Sequence, residues 1–212
     1  MLTAFIITFR EVFEIALILG SVIGYLEKTN QPQFKRGVYS ALGLALVVSF
    51  LAALEMRGLF TAYHTTANLL FAGLTLVAGA LFIVGMLWWQ WRAHKNQSVT
   101  EKIAKFVEKE ERVGLFLFVF LSVARDIMEI VVFLSAAGVT ATALNIVGAL
   151  GGIAAAALAG FILLSGIRRL QIKNIFRFTT IFLLLLAASL LIQGFHELSE
   201  AGVLGMWVKA LS

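Results

Sequence analysis

Apolar residues run through this chain in stretches of about twenty, separated by short polar connectors, with none of the strict alternation that marks a half-buried strand. Crossing about 30 Å of hydrocarbon at about 1.5 Å per residue takes about 20 residues of helix. Six stretches reach that length, near 2–26, 37–55, 67–88, 114–136, 143–167 and 176–195. The pattern predicts an all-α integral membrane protein with six transmembrane helices. The first stretch is too long for the apolar region of a signal peptide and lacks a basic leader, so it is read as a working helix. The tail from Ala201 holds only the short run Gly202 to Val208, which is expected at the membrane interface.

The longest connector, Trp89 to Val113, has a pattern of its own. Ser98-Val99-Thr100-Glu101 reads as a capping box, and Val99, Ile103, Phe106 and Val107 then recur at helical spacing among lysines and glutamates. That predicts an amphipathic helix on the cytoplasmic leaflet, acting as a linker.

Composition agrees with the pattern. The 212 residues are 60% apolar and 14% charged with a single proline, against about 25% charged residues in soluble domains. The mean hydropathy is +0.95. No connector is long enough to fold as a soluble unit, so residues 1–212 form one transmembrane domain. The net charge of +5 does not point to nucleic acid, because the basic residues cluster in loops, where membrane orientation accounts for them. Lipid is the expected surrounding, and a homo-oligomer is compatible with this reading.

Lys28, Lys35, Arg36, Arg92, Lys95, Lys102, Lys105, Lys109, Arg112, Arg168, Arg169, Lys173 and Arg177 fall on one side, and only Arg57 and Lys209 on the other. The positive-inside rule then places the N-terminus outside the cytoplasm of a cell membrane, and Trp88, Trp89 and Trp91 mark the cytoplasmic interface.

Two apolar stretches carry charge at their centres: Arg10-Glu11-Val12-Phe13-Glu14 and Arg125-Asp126-Ile127-Met128-Glu129. An ionised side chain at mid-helix costs about 2.5 to 3.5 kcal/mol to insert, so six of them require a function, and a pathway for something charged is the default. An offset of 115 residues superimposes Arg10 on Arg125, Glu11 on Asp126, Glu14 on Glu129, Ile15 on Ile130 and Leu19 on Leu134. Each cluster opens a unit of three spans. Three is odd, so the second unit enters from the opposite face: two inverted three-helix repeats, about 1–95 and 114–212, joined by the linker at about 96–113. The two charged helices are expected to cross antiparallel.

At about 100° per residue, the arginine and both acids of each cluster share one helix face. Four carboxylates face two arginines, leaving a charge of about minus two, an incomplete cation site. With no cysteine, metal ligands must come from carboxylate, histidine, methionine or carbonyl groups. Oxygen ligands favour a hard metal ion. The plainer alternative, charge pairs that pin two helices together, does not account for the two surplus carboxylates.

Glu55, His64, His196, Glu197 and Glu200 all fall on the outer side and together would make an acidic vestibule, although each alone reads as a solvated residue. His196-Glu197-Leu198-Ser199-Glu200 lacks the second histidine of a zinc-protease motif. The small residues Gly148, Gly151, Gly152, Ala155, Ala156 and Gly160 predict close helix packing. No enzyme is expected, because three histidines and no cysteine assemble neither a nucleophile with its base nor a catalytic metal motif. No phosphate-binding loop appears, so a gradient, the membrane potential or coupled oxidation must supply the energy.

These clusters resemble the Arg-Glu-Gly-x-Glu motifs in the first and fourth helices of the high-affinity iron permeases that work beside an iron oxidase or peroxidase. The stretch from Ile167-Arg168-Arg169 to Ile175-Phe176-Arg177 and the ending Gly194-Phe195-His196-Glu197-Leu198-Ser199-Glu200-Ala201-Gly202 are similar to that family's sixth-helix region. The resemblance implies a permease importing iron, ferric in the first instance, across a cell membrane such as a bacterial inner membrane. Glu14 and Glu129 would be the primary ligands, Glu11 and Asp126 would assist, and Arg10 and Arg125 would tune the site. It implies an iron oxidase or peroxidase partner, no permanent cofactor and iron as the substrate; members of that family usually have a seventh helix after the Glu-Ala-Gly turn, so the six helices expected here could be seven.

The chain departs from the family motif at Val12 and Ile127, where the motif has glycine, and at Asp126. A carrier of ferrous iron, lead or another divalent metal therefore stays open, as do a proton-coupled carrier of another solute and a membrane assembly subunit.

Overall fold

The apolar stretches become helices in a computed structural model that describes residues 1–63, 69–93, 99–137, 142–164 and 172–200. In chain order they are α1 (Leu2–Lys28), α2 (Lys35–Tyr63), α3 (Leu69–Ala93), α4 (Val99–Glu108), α5 (Arg112–Ala136), α6 (Ala143–Leu164) and α7 (Ile172–Glu200). No strand occurs among the described residues. The break after α1 follows from its sequence: Asn30 takes a φ of 51°, a left-handed conformation Asn tolerates, and Pro32 then opens a single 3-10 turn. Ser98 and the tail from Ala201 lie outside the described residues.

Among the described residues, three segments are long and apolar enough to cross a membrane: Pro32–Glu55, Ala143–Leu163 and Asn174–Glu200. α3 contributes the shorter apolar run Gly73–Trp88. α1 and α5 have the length, at 27 and 25 residues, but each carries three charged side chains near its centre. Their place in a bilayer depends on what those charges meet. Large apolar side chains such as Leu46, Phe50, Leu150, Phe161, Leu185 and Ile192 lie exposed around the bundle, an outer surface suited to lipid.

The principal helix pairs are α1 with α6, α3 with α7 and α2 with α5, followed by α1 with α5. Glycine sets the first two. α1 and α6 run parallel, since Gly148 lies on the Met1 carbonyl, Gly152 on Phe5 and Gly160 on Ala16. A Cβ on Gly152 would sit 2.6 Å from the Phe5 carbonyl oxygen and 2.9 Å from the Phe9 nitrogen, so only glycine admits this approach. α3 and α7 run antiparallel, and a Cβ on Gly73 would lie 2.9 Å from the Gly194 carbonyl oxygen. α2 and α5 run parallel: the Arg112 guanidinium lies 5.8 Å over the Phe34 ring, and farther along Ser49 Oγ donates to the Ala124 carbonyl at 3.4 Å.

α1 and α5 cross antiparallel, as the repeat predicts. Val22 and Leu26 of α1 share one apolar cluster with Leu115, Val119 and Val123 of α5, while Ile7 shares the other with Phe133. The charged residues lie between the two clusters, at mid-bundle. α4 turns its apolar face inward: Ile103 and Val107 are buried in the first cluster, against α1 and α5. That face is used for protein packing, not for lipid.

Candidate functional site

The antiparallel crossing brings the charged centres of α1 and α5 together. Arg10, Glu11, Asp126 and Glu129 are 1%, 0%, 2% and 3% exposed, whereas Glu14 and Arg125 are half-buried. Glu11, Asp126 and Glu129 each offer an oxygen, and these three lie within 4.8 Å of one another. Two ligands on opposite sides of an ion at about 2.4 Å are about 4.8 Å apart, so one cation fits the trio, and a smaller transition ion fits after the oxygens close by a few tenths of an ångström. Glu11 Oε2, Asp126 Oδ2 and Glu129 Oε2 are buried and meet no hydrogen-bond donor. Buried carboxylate oxygens in that state are expensive, and a cation satisfies them. Among the described residues this is the only group of three or more acidic or histidine side chains with such geometry.

The arginines brace the acids. Arg10 donates through Nη1 to Glu11, and its Nη2 lies 3.1 Å from Glu14 Oε1 as an ion pair. Arg125 Nε donates to Glu129 Oε1 at 2.5 Å. Each carboxylate of the trio thus keeps an oxygen free for another partner, and Glu11 and Glu129 are held through the other one.

Glu14 lies outside the trio. Gln90 of α3, itself buried, donates through Nε2 to Glu14 Oε1 at 3.1 Å and Oε2 at 2.9 Å, while its Oε1 accepts from Arg10 Nη2. Sequence reasoning missed Gln90. The available signal was a lone amide in the apolar end of a span, beside a tryptophan cluster that drew the interfacial reading. It also missed Thr8, buried one turn before Glu11 on the same face.

A cleft of 490 Å³ opens between α3 and α5, lined by Phe82, Gly85, Met86, Arg125, Met128, Glu129 and Val132. Its walls are apolar apart from Arg125 and Glu129, so it reaches the trio from the side of Glu129.

The described residues of the expected vestibule stay apart from this centre. His196 Nε2 and Glu200 Oε1 pair at 3.2 Å on α7, both exposed; Glu197 is half-buried and Glu55 is exposed near the far part of α2. His64 lies outside the described residues.

The sequence profile of the iron permease FTR1 family matches residues 1–212. This chain belongs to that family. Similar curated proteins include an uncharacterized protein of Archaeoglobus fulgidus, 27% identical over 200 residues, covering 94% of this chain and 71% of that protein. The ferrous iron permease EfeU of Yersinia pestis is 28% identical over 214 residues, covering 96% of this chain and 74% of the relative. The EfeU of Escherichia coli O157:H7 is 27% identical over 208 residues, covering 96% and 75%. No solved structure matches. The chain is therefore a multi-pass membrane permease of an iron-transport family and not an enzyme, as its residue inventory implies.

Proposed function

We propose that the chain carries iron through a mid-bundle site made by Glu11, Asp126 and Glu129, with Glu14 as a fourth, reserve carboxylate and with Arg10 and Arg125 bracing the acids. The observation that carries this reading is the meeting of three buried carboxylates from two antiparallel helices, each with an oxygen that lacks a donor. The sequence expectation ranked Glu14 and Glu129 first; the geometry favours Glu11 in place of Glu14 for the first contact with the ion.

Ferrous iron is favoured over ferric. The Yersinia and Escherichia relatives carry that ion in their names. Charge supports the same choice: with all six side chains ionised the centre sums to minus two, which a divalent ion cancels and a trivalent ion overshoots in a medium that penalises net charge.

The inverted repeat is part of the proposal, and the helix pairing supports it. Exchanging α1 with α5, α2 with α6 and α3 with α7 turns α1–α6 into α5–α2 and α1–α7 into α5–α3, and leaves α1–α5 and α3–α7 as they are. These principal pairs map onto one another, whereas the slight α1–α2 contact has no α5–α6 counterpart of its size. In such folds the substrate binds between the repeats near the midplane, and the position of the trio between the two apolar clusters supports that reading. An N-terminus outside the cytoplasm of a cell membrane and an iron oxidase or peroxidase partner complete the reading.

The test is uptake of radioactive ferrous iron, kept reduced with ascorbate, into proteoliposomes. Asp126→Asn and Glu129→Gln keep shape and remove charge, and each is expected to cut uptake at least about tenfold at unchanged protein level, as loss of a charged ligand interaction does. Uptake equal to that of the parent in both variants refutes the site.

A further inference from the structure

The bundle divides into two bodies of unequal size. α3 and α7 pack closely on each other through Gly73 and Gly194, while α1, α2, α5 and α6 are joined through α1–α6, α2–α5 and α1–α5. Lighter contacts, α3–α5 and α1–α7, connect the two bodies. The cleft beside Glu129 lies on this boundary, with Phe82, Gly85 and Met86 on one wall and Arg125, Met128 and Val132 on the other. Elsewhere along it Ile83, Leu87 and Leu183 meet Ile7 and Phe133, an apolar surface that permits sliding.

Gln90 spans the same boundary with polar bonds. Its amide suits Arg10 and Glu14 alike: its carbonyl accepts from Arg10, which can only donate, and its amino group donates to Glu14, which can only accept when ionised. A glutamate there would repel Glu14, and a lysine would repel Arg10. Both Glu14 oxygens are engaged by this one amide.

We propose that Gln90 is a positioning residue that holds Glu14 away from the ion cradle and yields it when the α3–α7 pair shifts along α1 and α5. Glu14 is four residues from Arg10 and three from Glu11, on the same helix face as the trio's α1 ligand. Released, it turns toward the cradle and adds a fourth carboxylate; recaptured, it loosens the site so the ion leaves. Occupancy is thereby tied to the position of a helix pair that flanks the cleft. The inference rests on the ion site proposed above.

Binding of ferrous iron to the purified protein, held anaerobically, is measured beside uptake for Gln90→Met, which keeps length and removes both polar groups. Affinity is expected to rise about tenfold, the scale of a released charge-assisted hydrogen bond, while maximal uptake falls by a similar factor. Gln90→Asn, with the amide on a shorter arm, is expected to lie between Gln90→Met and the parent in both measures. A merely structural role would weaken binding in step with uptake, and that result overturns the proposal, as does a variant identical to the parent.

A second variant does not depend on Gln90. Phe82→Cys with Met128→Cys, bridged across the cleft by a cleavable thiol cross-linker, is expected to stop uptake until the bridge is cut; full uptake while bridged overturns the shift. If Asp126→Asn and Glu129→Gln abolish binding while Gln90→Met changes nothing, the latch fails and the ion site stands. If those two variants still bind iron, the site itself fails.

Discussion

Arg10 and Arg125 occupy equivalent motif positions, yet the structure predicts unequal consequences of losing them. Arg10 is 1% exposed, donates to Glu11 and Gln90 and pairs with Glu14, whereas Arg125 is 34% exposed and faces the cleft. Replacing Arg10 by methionine preserves the volume but leaves Glu11 and Glu14 without their buried counter-charge. Breaking a buried pair in this way costs about 3–5 kcal/mol. At this chain length about 2–4 °C of melting temperature corresponds to each kcal/mol, so Arg10→Met is expected to lower the midpoint by about 6–20 °C. Arg125→Met, whose charge is already partly open to the cleft, is expected to cost about 1 kcal/mol after discounting for exposure, or about 2–4 °C. The assay is thermal unfolding of the purified protein in one detergent. Adding Glu11→Gln to Arg10→Met removes the orphaned charge and should recover at least about 1 kcal/mol, because residues in one network are not additive. Equal losses for the two arginines, or no recovery in the double variant, would refute the claim that Arg10 balances buried acids.

Further expectations follow from packing and from the ion. Gly152→Val places its side chain against backbone atoms of Phe5 and Phe9, which cannot rotate away, and is expected to cost about 1–3 kcal/mol in the same melting assay. Gly24→Ala, with nothing within 4 Å of the new Cβ, is the control and is expected to match or slightly exceed the parent. Ferrous iron at about one hundred times its dissociation constant is expected to stabilise the parent by about 2.7 kcal/mol and to leave Asp126→Asn unmoved, read as a shift in melting temperature.

Much of this architecture is legible in the sequence. Apolar runs locate the six long helices, and the two charged clusters mark α1 and α5 as the pair whose centres meet, because ionised groups at mid-helix must find partners. The helical wheel also places each arginine and its acids on one face. What the wheel does not contain is how that face is rotated toward its partner. Glu14 sits at the middle of its stripe by angle, yet it accepts from Gln90, 76 residues away, while Glu11 meets Asp126 and Glu129. No periodicity announces that long-range hydrogen bond. The amphipathic pattern of α4 is visible in the same way, but whether its apolar side chains face lipid or protein depends on the ends of α1 and α5, which only the assembled bundle supplies.

The helix pairs carry one more consequence. α1–α6, α2–α5, α3–α7 and α1–α5 all join the first half of the chain to the second, while within a half the long helices meet little beyond α1 with α2 and the contacts of α3 with α1 at Gln90 and Ile7. Each charged helix also lies along an apolar helix of the other half, α1 on α6 and α5 on α2. Alone, either half lacks the helices of the other half that cover its charged cluster and holds only part of the ion cradle, a penalty of several kcal/mol in hydrocarbon even with Arg10 still paired inside the first half. A chain cut between Ala93 and Val99 is therefore expected to yield two unstable fragments when each is expressed singly, and a transporting complex when both are expressed together. Membrane abundance and iron uptake of the separate and combined fragments measure this. A first fragment that accumulates to parental levels without the second would show that its charges are satisfied locally, and that the site does not require the crossing of α1 with α5.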